Sequence, residues 1–400
     1  MSDIMQVELN KQGQKWPMVS IKSVSTVVTG KTPSKKEADN FGGNIPFVTP
    51  VELGKEPYVY SSSQTITEKG AKAIKLVPKN SVLVCCIGSL GKTAIAGCEV
   101  GTNQQINSVI FDEGKVFPKY GYYALNRLKS LMVSLAPSTT VAIINKSNFE
   151  ALEIPLPPLE EQKRIAAILD KADAIRRKRQ QAIDLADDFL RAIFLDMFGD
   201  PVTNPKGWEV KSLRDISRIQ IGPFGTQLHK EDYVQGGIPL INPTHIVKGK
   251  IVPKNDLTIT VEKHGSLPEY HLNTGDIIMG RRGEMGRCAV VCENEKGWLC
   301  GTGSLYIRPI KSGVFSEYLN KLLSSDAIKN HLESESQGAT MPNLNKTIIG
   351  NIQVPVPSDE SLHQFAAIKK KIVNTKAFYS DFAGESVFES LSQKAFTGEL

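Results

Sequence analysis

The chain repeats itself, and the repeat constrains the fold more than any other feature of the sequence. VLVCCIGSLGKTAIAG (82–97) and IIMGRRGEMGRCAVV (277–291) share one form: an apolar run, a Gly-x-x-Gly turn, a basic residue, a second apolar run. Gly283 falls on Gly88, Gly286 on Gly91 and Arg287 on Lys92, all at an offset of 195. GNIPFVTP (43–50) matches GGIPLINP (236–243), and IINKSNFEALEIPLPP (143–158) matches NLNKTIIGNIQVPVPS (343–358). EEQKRIAAIL (160–169) then matches ESLHQFAAIK (360–369). Solenoid repeats are several times shorter, so this period marks a duplicated domain.

The repeat also bears on the Gly91-Lys92-Thr93 string, which invites a nucleotide-binding reading. A P-loop needs a glycine five places before the one that precedes the lysine. That place is Cys86, and Gly88 comes too late. In the second copy Cys288 stands where the magnesium-holding Thr would be. The alternative of a nucleotide-binding enzyme built on Gly88–Thr93 is therefore the weaker expectation.

Each half opens with short apolar runs broken by Gly, Pro, Asn and Asp, which predicts a β-rich lobe. KYGYYALNRLKSLMVSL (119–135) and SEYLNKLLSSDAIKNHL (316–332) read as one helix within each lobe. After PLPP the texture changes: EEQKRIAAILDKADAIRRKRQQAIDLADDFLRAIFLDMFG has no proline and no glycine before Gly199. Ile165, Ala172, Ala186 and Ile193 form one heptad row, interrupted at Arg179, and Ile168, Ile175, Ala182 and Phe189 form a second. About 38 residues at ~1.5 Å each make a rod of roughly 57 Å. The second copy keeps a weaker stripe through Phe365, Ile368, Ile372, Tyr379 and Phe382. Two such helices cover their seams by pairing, and the order lobe–helix–lobe–helix makes the pair antiparallel. The expected fold is α+β, a tandem duplication of a β-rich domain followed by a long helix, the two helices forming an antiparallel coiled coil. Its segments are 1–157, 158–200, 201–357 and 358–400.

Four hundred residues suit two or three domains with proper cores. No apolar stretch reaches the length of a membrane span, and MSDIMQVELNKQGQKW lacks a signal-peptide core. Six Cys without a C-x-x-C pair read as reduced thiols of a cytoplasmic protein, with no membrane partner. A zinc site from Cys288, Cys292, Cys300 and a nearby His is the weaker alternative. The net charge of +6 is unevenly spread: +5 in 1–157, −1 in 158–200, +3 in 201–357 and −1 in 358–400. The two lobes carry the positive excess, a mild bias toward a polyanion. RRKR (176–179) is flanked by Asp170, Asp173, Asp184, Asp187 and Asp188, so it reads as a solvated or subunit-facing helix surface.

Three stretches resemble the specificity subunit of type I restriction–modification systems. TGKTPSKKEADNFGGNIPFVTPVEL resembles the opening of its target-recognition domains, IPLPPLEEQKRIAAILDKADAIRRK its central helical spacer, and LSQKAFTGEL its C-terminal end. DESLHQFAAIKKK matches less well. The resemblance implies two target-recognition domains, each reading one half of a split site in double-stranded DNA, and paired helices that hold them apart. It also implies two methylation subunits docked around the helices, with ATP-driven restriction subunits as further partners. Ile165, Ile168, Ile175, Phe189, Phe365 and Ile368 are then the candidate partner-binding positions.

For DNA contact the candidates fall on the loops. Arg281 and Arg282 have the forked geometry for guanine, each contact worth ~1–3 kcal/mol of discrimination; phosphate positioning or an ion pair with Glu284 is the alternative. Gln104, Gln105 and Asn107 carry the amide chemistry that pairs with adenine, or form a polar hairpin with Asn103. Lys31, Thr32 and Ser34 suit a phosphate-binding loop. In the turns Gly88, Ser89, Gly91, Gly283 and Gly286 let backbone approach phosphate, beside Lys92 and Arg287. Asn242 and Thr244 are weaker candidates. A base methyltransferase would need a D/N-P-P-Y/F motif, and Asn242-Pro243-Thr244-His245 lacks the second proline and the aromatic residue. No metal spacing or nucleophile constellation links the six His. The chain is expected to be non-catalytic, with no cofactor and no metal.

Overall fold

A computed structural model of the chain describes residues 16–136, 141–224, 227–282, 286–335, 344–381 and 384–400. They form two compact units, Met1–Gln180 with Phe382–Leu400, and Gln181–Asp381. Each unit therefore joins one lobe to part of both helical segments.

In the first unit a five-stranded sheet runs in the order Ser25–Thr29, Ile106–Phe111, Val82–Cys85, Thr93–Ala96, Tyr58–Val59. The second unit repeats four of these as Ser217–Ile221, Ser304–Pro309, Ile277–Gly280, Cys288–Val290. The central strands read as continuous apolar runs because both faces are buried. Side chains alternate across a strand. Val82 and Val84 thus enter the cluster shared with the helices, while Leu83 and Cys85 enter a second cluster on the other face. Ile277 and Met279 divide from Ile278 in the same way. A smaller sheet covers that second face: Thr65–Ile66, Phe41–Val48, Gly101–Thr102 in one unit, Tyr233–Val234, Thr258–Ile259, Ile238–Ile241, Leu299–Cys300 in the other. A short antiparallel pair closes each lobe where the chain leaves it, Met18–Ser20 with Glu153–Pro155 and Glu209–Ser212 with Gln353–Val356.

The helix expected within each lobe is two helices. Pro118–Arg127 is followed by Lys129–Leu135, and Val314–Leu323 by Asp326–Glu335. In the second lobe the break coincides with Ser324, whose hydroxyl donates to the carbonyl of Asn320 and so competes for the helical acceptor.

The first rod is one helix, Leu159–Phe198. The second comprises Asp359–Asp381 and Gly384–Thr397; Phe382 lies outside the described residues, as does the side chain of Tyr379. In the first unit Arg164 donates to the carbonyl of Leu400 (2.8 Å), and the Arg176 guanidinium lies 5.6 Å from the Phe388 ring centre. In the second unit Lys376 pairs with Asp187 (2.5 Å), and the Phe198 and Phe365 rings meet at 5.3 Å. In both units the partners run in opposite directions, as an antiparallel pair requires.

The rods are rooted in the lobes, which revises the expected partner-binding set. Ile165 and Phe365 are fully buried in the lobe cores, and no partner reaches them. They belong to the joints. Ile168 and Ile368 are half-buried. Gln162 pins the first joint: its buried amide accepts from Phe117 N (2.8 Å) and donates to the carbonyls of Lys115 (2.9 Å) and Pro157 (2.8 Å). Leu362 holds the corresponding place in the second joint, an apolar plug in place of a polar pin. Tyr120 and Tyr318 donate to the carbonyls of Pro155 and Pro355 and fix the two Pro-rich exits alike. The C-terminal helix completes the first lobe's core with Ala395 and Phe396. The end of the first rod does the same for the second lobe with Phe194 and Phe198. Ile175 (52% exposed), Leu185 (69%) and Phe189 (57%) stay on the surface.

Candidate nucleic-acid interface

The turn at Gly88–Thr93 joins two antiparallel strands, so no helix follows it to receive a phosphate. Its backbone is spent internally. Gly88 N donates to Ala142 O (2.9 Å), Gly91 N to Cys85 O (2.9 Å) and Lys92 N to Ser89 O (3.4 Å). Thr93 is buried, and its hydroxyl donates to Asn126 Oδ1. The nucleotide-binding alternative is not supported, since both the N–H groups and the magnesium-holding hydroxyl are committed elsewhere. What the turn offers outward is Ser89 and the Lys92 side chain, both exposed.

Beside it lies a polar cleft of about 350 Å³, lined by Thr32, Lys35, Thr49, Gln64 and Asn103–Gln105 above the Phe47 ring. The two loops that form it were separate in the sequence. Lys31 N donates to Thr102 O (2.9 Å), and Thr32 Oγ1 to Gln104 Oε1 (2.7 Å). Gly30 makes this approach possible, because a methyl group there would overlap the carbonyl oxygens of Thr102 and Asn103. Gly222 repeats the arrangement against Gly301. Gln105 is braced by Asn103 and by Ile87 O, while Gln104 is exposed. Lys31 and Ser34 are exposed on the approach.

Asn107 does not join them. It is buried in the sheet, accepting from Thr29 Oγ1 (2.7 Å) and donating to Cys86 Sγ (3.4 Å), so no amide edge remains for a base. Arg281 is likewise moved inward. It is 7% exposed, its backbone is tied to Gly303 O and Leu344 N, and burial, with the Arg282 charge adding, pushes its guanidinium below the usual range. Arg282 is the exposed member of the pair, and Arg287 is half-buried. Gly283 lies outside the described residues. Asn242 turns inward too: Oδ1 accepts from Gly303 N (3.3 Å) at the start of a short 3-10 turn, leaving Thr244 exposed.

The two copies share one pattern of hydrogen bonds and differ in the loop it holds. Gly30 N donates to Ile106 O, and Gly222 N to Ser304 O. Counting back from these carbonyls, Asn103-Gln104-Gln105 in one lobe occupies the place of Gly301-Thr302-Gly303 in the other. Thr49 and Asn242 are also equivalent. One lobe presents amides in an open cleft; the other presents glycines, with the Asn242 amide laid over them. Lys35, Thr49 and Gln64 escaped sequence reasoning, although GNIPFVTP against GGIPLINP already set Thr49 on Asn242.

The six Cys are free thiols, and burial pushes Cys86 and Cys288 each up to about 12, out of the range of a nucleophile at neutral pH. Among the described residues no three His, Cys, Asp or Glu side chains group as metal ligands, the proposed cysteine set included. Among them also, no helix is long and apolar enough to cross a membrane.

Residues 13–185 and again 205–378 match the type I restriction modification DNA specificity domain. The chain belongs to that family. Its relatives include the specificity subunit of the type I restriction enzyme MjaIX of Methanocaldococcus jannaschii, 27% identical across 100% of this chain and 96% of its own length. The EcoBI specificity subunit of Escherichia coli is 22% identical over 96% of this chain and 86% of its own. The crystal structure of the type I restriction–modification S subunit from M. genitalium has the same fold, with a TM-score of 0.57 at 19% identity, covering 96% of each chain. The family's double match covers the two lobes, each with part of the helix that follows it.

Proposed function

We propose that this chain is the sequence-specificity subunit of a type I restriction–modification complex. Each lobe reads one half of a bipartite site in double-stranded DNA, and the paired rods fix the gap between the halves. The supporting observation is the exchange at one structural place: an amide-lined cleft in the first lobe, a glycine loop under Asn242 in the second. Equal scaffolds with unequal reading surfaces are what a split, asymmetric target demands. In the first lobe Gln104, Thr32 and Gln64 read bases, with Gln105 holding the loop, while Lys31, Ser34, Ser89 and Lys92 contact the backbone. In the second, Arg282 and Thr244 read bases, Arg287 contacts phosphate, and Arg281 positions its neighbour.

The remaining partners follow from the rods. The exposed apolar residues Ile175, Leu185 and Phe189 lie on the helix between its two roots, the surface proposed to receive two methylation subunits, around which restriction subunits assemble. Methylation and cleavage then reside in those partners, and this chain supplies the address. Mapping DNA methylation in cells with and without the gene tests the reading. A two-part motif with a fixed gap, lost when the gene is deleted, is expected. A methylation pattern that does not change would sink it.

A further inference from the structure

Gly91 and Gly286, the last glycines of the two Gly-x-x-Gly strings, each lie under a lysine that comes from a different element. Gly91 (φ +73°) and Gly286 (φ +78°) have the left-handed backbone that glycine tolerates best. A methyl group on Gly91 would fall 2.6 Å from Cγ and 2.7 Å from Cβ of Lys129; one on Gly286 would fall 3.0 Å from Cε and 3.2 Å from Cδ of Lys329. So each glycine is needed twice, for its conformation and to let a lysine stem cross. The two lysines are 200 residues apart, and each stands just beyond the helix break of its own lobe.

In the first lobe the crossing is fixed from below. The Thr93 hydroxyl, just past the turn, donates to Asn126 at the end of Pro118–Arg127, three residues before Lys129. Lys92 follows Gly91 directly, and its stem passes 3.7 Å from the Cβ position of Gly54. In the second lobe Val314–Leu323 packs on Cys288–Val290, and Arg287 stands in the place of Lys92. Among the described residues neither Lys129 nor Lys329 has a carboxylate partner. Here both copies of the duplicated lobe put a lysine over the matching glycine, and the residue that follows that glycine is a second cation.

We infer that Lys129 with Lys92, and Lys329 with Arg287, form a matched pair of phosphodiester clamps, one in each lobe, that seat the lobes on the DNA backbone without reading sequence. Two cations from two elements can hold the two non-bridging oxygens of one phosphate. An ammonium is a compact point charge without the fork that reads a base edge, and phosphate contacts fix register while carrying no sequence information. The inference rests on the lobes being DNA readers.

Its test uses the complex reconstituted with its methylation partners and a duplex carrying the target mapped in the cell. Lys129→Met and Lys329→Met keep the stem over the glycine and remove the charge. Each is expected to reduce the slope of log K against log salt, by up to about 0.9, and the double variant by up to about twice that. The methylated sequence should not change, and Lys129→Arg should restore the wild-type slope. Met variants with the wild-type slope, or an altered half-site, would overturn the clamp. If the wild-type complex itself shows no salt-dependent binding to the duplex, the DNA-reading assignment fails and the clamp with it, and the wild-type curve distinguishes that failure from the first.

Discussion

A base-reading residue needs a polar edge that is both exposed and held still, and few of the polar residues in the loops meet both conditions. Gln104 is exposed and accepts from Thr32. Asn107 has the same amide chemistry and is spent inside the sheet. Gln104→Ala should therefore weaken discrimination at one half-site by ~1–3 kcal/mol, with the other half-site read as before. Arg282→Ala should do the converse. Competition binding with single-base variants of the mapped target checks both, and loss at both half-sites from either variant would contradict separate reading by the two lobes. Arg281→Ala is expected to differ in kind. Its guanidinium is buried, so its removal should lower the stability of the second lobe along with its specificity, seen as an earlier thermal transition.

At the scale of elements, the joints between rods and lobes hold most of what can be tested. Gln162 answers three backbone groups, of which the Pro157 carbonyl is buried and costs ~1–3 kcal/mol if left unpaired. Gln162→Ala should destabilise the first unit accordingly, measured as a lower denaturation midpoint, while Leu362→Ala opens a cavity in the second at a cost of ~2–5 kcal/mol. Phe396 is fully buried against Tyr120, with ring centres 5.2 Å apart. Phe396→Ala should cost ~3–5 kcal/mol, so a short C-terminal segment should matter as much as any core strand. The middle of the first rod behaves differently. Ile175→Asp with Phe189→Asp alters exposed side chains and should leave the fold's stability within about 0.5 kcal/mol at each site. Binding of the methylation subunits should still be lost. Co-purification with an unaltered mass would show that they dock elsewhere.

The whole molecule poses the question of spacing. If the first rod is the ruler, inserting one heptad near Gln181 keeps the apolar register, whereas four residues would disturb it. Seven residues add ~10 Å at ~1.5 Å each, about three base pairs at roughly 3.4 Å per step. We expect one to three additional unread base pairs in the methylated motif, with both half-sites unchanged because neither lobe is touched. A functional complex with the original gap would assign the spacing to the partner subunits.

The duplication, the β-rich lobes, the long helix and the antiparallel pairing were all legible in the sequence. Each rests on a local pattern, whether a repeated string, an apolar period of two or seven residues, or the absence of proline. Which polar side chains reach the surface was not legible. Burial of Asn107 and Arg281 depends on what packs across the sheet from 22 to 78 residues away, and no local period records that. The same holds for Ile165 and Phe365. The heptad stripe marks them as apolar faces of a helix, but only the packed lobe decides that the face is covered by the chain itself. Nothing in the sequence sets Lys129 and Lys329 apart from other lysines of a helix. The turn beneath each one gives it a place, because a glycine in one element and a lysine in another acquire meaning together only after the chain has folded.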